Sequence, residues 1–284
     1  MDKHLLLTLS ERQDGLYGVR FVGNFFANKD NLNITLLYIT PRSMGEWGNG
    51  VGMELQMRKA EAEGRQALDA AKVHLVKSGF VPDQVITKLQ GRRISKVMEI
   101  IQEGGKGLYD AVVLGRRGLS WLEQAFEESV TKSLLDRSVD FPIWICRRPE
   151  MDRQHVLACV DGSPASVRMV DHIAYILLQE TDQAVTLMAV GRKGQIADKD
   201  VNAILSRARD VLLDRGFSPE RIRLQGMEEG AAAKAIMKEA DDKGFAAVAV
   251  GRTGTGQGLL KRIFVGSVSQ ALFQELQGAA LWLA

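Results

Sequence analysis

The chain has 284 residues, room for one large or two ordinary domains. Apolar residues make up 45% and charged residues 25%, the profile of a soluble globular protein. A formal charge of +2, from 37 basic and 35 acidic residues, argues against a dedicated nucleic-acid surface, and no stretch approaches the ~20 apolar residues of a membrane helix.

Taken in order, the pattern alternates strand and helix. The first strand is expected over residues 5–9 (LLLTL), followed by a helix over 15–27. The apolar run after Met1-Asp-Lys-His4 is interrupted by Thr8 and is too short for a secretory signal, so a cytoplasmic location is expected. A second strand covers 33–40 (NITLLYIT), and a long amphipathic helix covers 53–78. Strands at 85–89, 111–114 and 143–146 follow, with helices over 94–103 and near 129–136. The same alternation then starts again. Strands are expected at 156–160, 185–190, 222–224, 246–250 and 280–283, and helices over 165–178, 198–215, 231–242 and after Ser267. Short apolar runs alternating with helices predict parallel sheets covered on both faces. The two cysteines, Cys146 and Cys159, lie in strand-like runs and read as buried thiols in a reducing compartment. The histidines at 4, 74, 155 and 172 have no metal-ligand spacing with them.

The second half repeats the first. Lys88-Leu-Gln-Gly91 recurs as Arg223-Leu-Gln-Gly226, and Gly79-Phe-Val-Pro82 as Gly216-Phe-Ser-Pro219. Tyr109-Asp-Ala-Val-Val-Leu-Gly115 recurs as Phe245-Ala-Ala-Val-Ala-Val-Gly251. Two tandem domains are therefore expected, 1–149 and 150–284, joined near the charged, proline-containing RRPEMDR segment.

The stretch richest in chemistry is 251–269, GRTGTGQGLLKRIFVGSVS. It follows the apolar run 245–250 and opens a helix whose apolar side carries Val268, Leu272 and Phe273. Strand, glycine loop and helix start is an arrangement that holds phosphate: glycines let N–H groups approach the anion, and the helix start adds free donors and a favourable dipole. The stretch fits neither the Walker pattern nor the G-x-G-x-x-G fingerprint.

It resembles the nucleotide loop of the universal stress proteins, in which G-x-x-G, nine residues and G-[ST] follow the fourth strand. Gly251-Arg252-Thr-Gly254 matches the first half and Gly266-Ser267 the second, with a spacer of eleven residues, 255–265. The resemblance covers nearly the whole chain. It implies an α/β fold of two tandem Rossmann-like domains of the adenine nucleotide α-hydrolase type, each a five-stranded parallel sheet with helices on both faces. It implies an adenine nucleotide, ATP, ADP or AMP, with Mg²⁺ accompanying a triphosphate. By the same resemblance Asp161 contacts the nucleotide, Ala189 and Val190 offer backbone groups to adenine, and Gly251, Arg252, Gly254, Gly266, Ser267, Val268 and Ser269 surround the phosphates. Read on its own, Asp161-Gly-Ser-Pro164 is equally a turn and helix cap. Lys261 and Arg262 lie inside the loop as further cations.

The first copy departs from the pattern. Ser10 stands where Asp161 stands in the second. Gly115-Arg-Arg-Gly118 is kept, but Glu128-Ser129, preceded by Glu127, replaces Gly-Ser. One nucleotide, in the second domain, is the expectation. The expected function is a cytoplasmic nucleotide-binding regulator of the stress response, with an internal pseudo-dimer of the two domains through the strands 143–146 and 280–283, and homodimers of the chain. Two alternatives stay open: a slow ATPase, for which the sequence offers no histidine near the loop, and a scaffold that binds no nucleotide. The segment 41–51 (PRSMGEWGNGV) carries no readable motif.

Overall fold

Each copy of the repeat is built around five parallel strands. The computed structural model describes residues 2–10, 16–40, 51–115, 139–191, 198–228, 231–252 and 267–284. Among them the chain divides into two compact units, one ending at Cys146 and the other beginning at Arg147.

The first unit comprises β1 (Lys3–Leu9), α1 (Tyr17–Phe25), β2 (Leu32–Ile39), α2 (Val51–Lys77), β3 (Val85–Gln90), α3 (Lys96–Gly104), β4 (Ala111–Gly115) and β5 (Ile143–Cys146). Its strand order is β3-β2-β1-β4-β5, every pair parallel. β4 and β5 are buried at every position, as strands covered on both faces must be. Phenylalanines hold α1 down: Phe21 stacks on Phe25 at 5.0 Å, and Phe26, just after the helix, stacks on Trp144 of β5 at 6.1 Å.

The second unit repeats this with β6 (Gln154–Cys159), α4 (Pro164–Leu177), β7 (Val185–Gly191), α5 (Asp198–Asp214), β8 (Ile222–Glu228), α6 (Ala232–Asp242), β9 (Phe245–Val250), α7 (Ser267–Glu275) and β10 (Ala280–Leu283). The order is β10-β9-β6-β7-β8, again all parallel. α4 packs against α5 and α6 against α7. With right-handed crossovers, each pair covers its own face of the sheet. The order reverses between β6 and β9, and in the first unit between β1 and β4, which creates a switch point at the carboxyl ends of those strands.

The segment after Cys146 is tied into the second unit. Arg153 pairs with Glu150 at 2.7 Å and Asp241 at 3.0 Å, and Glu150 N–H donates to Gly278 O at 2.8 Å. Gly278 has φ +75, and a Cβ there would meet the Arg153 guanidinium at 2.3 Å, so only glycine serves.

Most boundaries fall within two residues of the sequence expectation. β8 is the exception: it runs to Glu228, past the expected end at Leu224. It is an edge strand with polar, partly exposed residues, Leu224 itself being 46% exposed, so an apolar pattern marks only its beginning. β6 starts at Gln154 and stops at Cys159, before the expected Val160. Val268 is only half-buried on α7, whereas Leu272 and Phe273 face the core. The helix expected near 129–136 and residues 41–50 lie outside the described residues. Cys146 is fully buried and Cys159 half-buried, and both are free thiols.

Candidate functional site

β6 and β9 pair up to Cys159↔Val250. The residues that follow each strand, Asp161 on one side and Gly251 on the other, therefore emerge side by side at the switch point of the second unit. Gly162 turns the chain with φ +79. Ser163 then caps α4: its Oγ accepts from Ser166 N–H at 3.2 Å, and Pro164 takes the first helical position. The cap thus belongs to Ser163, while Asp161 Oδ1 closes the turn by accepting from Ser163 N–H at 2.9 Å. Partial burial pushes the Asp161 pKa up, but hydrogen bonds from Ser163 and Ser166 outweigh it, and the net value lies below the ordinary 3.8. Asp161 is exposed on the surface and held charged.

Gly251 touches the start of the same helix. A Cβ there would lie 2.4 Å from both the Ala165 carbonyl carbon and the Ser166 nitrogen. Arg252 is buried. Its N–H donates to Ala284 O at 2.7 Å, and its carbonyl accepts from Arg168 at 3.3 Å. The strand end that leads into the glycine loop is therefore anchored on two sides.

β7 supplies a third edge. Its pairing with β6 stops at Met188, whose carbonyl accepts from Val160 N–H at 2.8 Å. Ala189 and Val190 continue beyond that point, paired on the other side with Gly226 and Met227 of β8. Ser267 opens α7 exposed, and Ser269 is buried on the inner face. Gly254, Gly266, Lys261 and Arg262 lie outside the described residues, as do Arg116, Arg117, Glu127, Glu128 and Ser129 of the first copy. Asp161, Ala189, Val190, Gly251 and Arg252 are thus gathered at the ends of three adjacent strands. In the first unit Ser10 follows β1, with its hydroxyl buried and without a hydrogen-bond partner among the described residues.

Sequence reasoning passed over a polar layer under α3. Glu103, 3% exposed, is held by Lys88 at 2.7 Å, Lys106 at 2.5 Å and the Tyr109 hydroxyl at 2.8 Å. Burial alone pushes its pKa up, and these three partners bring it below the usual carboxyl value. Nearby, His4 Nε2 and Thr35 Oγ1 are hydrogen-bonded at 2.8 Å, and the His4 ring meets Tyr109 edge-on at 4.8 Å. A readable signal existed: Glu103 recurs as Glu239, also buried, at the offset that relates Tyr109 to Phe245.

The sequence profile of the universal stress protein family matches the chain twice, over residues 1–147 and 152–277. The chain belongs to the universal stress protein family. Among solved structures, a universal stress protein from Archaeoglobus fulgidus DSM 4304 is similar over 99% of this chain and 95% of its own, at 17% identity and a TM-score of 0.67. A functionally unknown protein from Pseudomonas aeruginosa PAO1 is similar over 99% and 92%, at 13% identity and a TM-score of 0.53. The cytoplasmic domain of a prokaryotic cation chloride cotransporter is similar over 100% and 95%, at 12% identity and a TM-score of 0.52. At these identities the likeness is one of fold. No curated protein matches the sequence. Among the described residues of this universal stress protein, no helix is long and apolar enough to cross a membrane.

Proposed function

We propose that this chain binds an adenine nucleotide, ATP above all, in its second unit, and works in the cytoplasm as a nucleotide-responsive regulator in the stress response. The observation that carries this reading is the convergence of Asp161 and Gly251 at the ends of β6 and β9, on the switch point where such sheets take ligands. Adenine would lie along the part of β7 that outruns β6, facing main-chain groups of Ala189 and Val190. The phosphates would run over the glycine loop, Gly251 to Gly266, toward Ser267, Val268 and Ser269, at the start of α7, the end of a helix that favours anions. Asp161, kept charged by its hydrogen bonds, suits a hydroxyl of the nucleotide or a water of a Mg²⁺ carried by the triphosphate.

Binding rather than catalysis is supported by the surroundings of Asp161. His155 sits at the start of β6, the far end of the strand, and His172 lies along α4 with its ring edge-on to Trp282 at 6.4 Å. Neither is placed to serve as a general base beside Asp161. Homodimers of the whole chain belong to the same reading, and sedimentation tests them.

Mass spectrometry of small molecules released from denatured, freshly purified protein tests the nucleotide. Calorimetry with ATP, ADP and AMP ranks them, and Asp161→Ala is expected to weaken binding at least tenfold. Absence of any adenine nucleotide, together with no heat at millimolar ATP, would favour a scaffold. Turnover of labelled ATP that Asp161→Ala abolishes would favour an enzyme.

A further inference from the structure

At the outer edge of the first unit's sheet, where edge strand β3 turns into α3, there is an open cavity of about 740 Å³. That is within the ~300–1,000 Å³ range of small-molecule pockets. Arg92 and Arg93 form one side, and Gln102 and Lys106 of α3 are also in the lining. Two carboxylates reach the cavity, but both are already engaged. Glu99 Oε1 accepts from the backbone N–H of Arg93 at 2.7 Å and of Ile94 at 3.1 Å, and its Oε2 accepts from Gln90. Glu103 is held by Lys88, Lys106 and Tyr109.

The two guanidinium groups are in the opposite situation. Neither has a side-chain hydrogen bond or ion pair among the described residues, and the Nε of Arg92 is shielded from water with no acceptor. Buried donors in native proteins nearly always have a partner, so an acceptor belongs there. The fold does not demand these cations. After the repeated Lys88-Leu-Gln-Gly91 and Arg223-Leu-Gln-Gly226, the first copy continues Arg92-Arg93 and the second continues Met227-Glu228. The positive wall is a property of the first copy alone.

We propose that this cavity binds a small doubly charged oxyanion, a phosphate or a dicarboxylate, through Arg92 and Arg93. The planar fork of a guanidinium matches two oxygens of either group. Gln102 adds an amide donor, and Lys106 adds charge beyond what Glu103 neutralises. None of the lining residues belongs to the loops that follow β1 or β4, so the site is separate from the switch point and independent of the nucleotide reading.

The test is calorimetry on the full chain at low ionic strength, with inorganic phosphate and with succinate, each with and without saturating ATP. One anion is expected to bind once per chain, unaffected by ATP. The double variant Arg92→Met with Arg93→Glu, which installs the second copy's residues, is expected to weaken that binding at least tenfold without lowering the melting temperature. Arg93→Gln alone, at an exposed side chain, is expected to weaken it several-fold and covers the case in which the double variant misfolds. The proposal is overturned if neither anion binds at millimolar concentration, if ATP removes the heat, or if both variants bind like the wild type.

Discussion

A Cβ on Gly251 would sit 2.4 Å from the backbone nitrogen of Ser166. The end of β9 and the first turn of α4 thus share a contact that only glycine permits. Gly251→Ala must push the strand end away from the helix, and overpacking of this kind costs about 1–3 kcal/mol. A lower unfolding midpoint of the second unit is expected in urea, accompanied by weaker nucleotide binding. An unchanged midpoint would show that the helix start yields freely.

The cap on the same helix gives a second, smaller effect. Ser163→Ala removes the acceptor for Ser166 N–H, a loss of about 0.5–2 kcal/mol. Asp161→Ala removes a carboxylate whose pKa is below the ordinary value. Its contribution is present above pH 3.8 and is lost as pH falls through the lower folded value. Asp161→Ala should therefore be less stable than wild type near neutrality and match it in strong acid, as read from urea midpoints across that range.

His172 acts in a different window. Burial pushes its pKa down to about 4, with Asp171 opposing. His155 shifts the same way through burial and Arg223, and its Nδ1 accepts the Ala184 N–H at 3.1 Å, a bond that protonation ends. Both folded values lie below the unfolded 6.5. Their contribution is complete above pH 6.5 and falls away as pH drops through the folded values. His172→Gln should flatten the loss of stability between pH 6.5 and 4, and a slope identical to wild type would remove His172 from the account.

In the first unit, Tyr109→Phe takes one donor from buried Glu103, at an expected cost of about 1–3 kcal/mol. Lys88→Met is expected to cost more, because it strips a charge partner from a buried carboxylate. Chemical denaturation of the two variants gives the order directly.

Stoichiometry follows from the proposed loop roles. One nucleotide per chain is expected, with Gly266→Glu abolishing binding and Glu128→Gly creating at most a weak second site. Two like charges ~4 Å apart repel by about 4 kcal/mol at an effective dielectric of 20, and each ~1.4 kcal/mol is tenfold in affinity. Repulsion of that order by Glu127 and Glu128 is the proposed reason that the first copy's loop takes no phosphate. Calorimetry showing two equal wild-type sites would reverse these roles.

The central strands were legible because they are apolar from end to end: β4, β5, β9 and β10 each stand within a residue of the expected span. The parallel alternation was legible from the apolar runs, whereas Asp161 and Gly251 were reached through the resemblance to the universal stress proteins, at positions just after the strands expected at 156–160 and 246–250. The edge strand β8 was harder, since it keeps Arg223, Gln225 and Glu228 in its register and looks polar. Least legible was the α3 layer. Thr35, Lys88 and Glu103 come from three elements and Tyr109 from the connection before β4, and no local period joins them. The close approach of Gly251 to Ser166 was likewise invisible, because spacing along a chain does not say which backbone a glycine must pass.

β7 carries on through Gly191 after its ladder with β6 has ended at Met188. On the proposed reading, what that ledge would present to a purine is amide hydrogens and carbonyl oxygens, a pair of groups that every amino acid except proline possesses alike. Mutation can rewrite the side chains there without altering the polar groups on offer. Lineages sharing such a ledge would be free to drift apart letter by letter and still offer it. The fold itself tolerates that much drift, since a solved structure overlaps 99% of this chain at 17% identity.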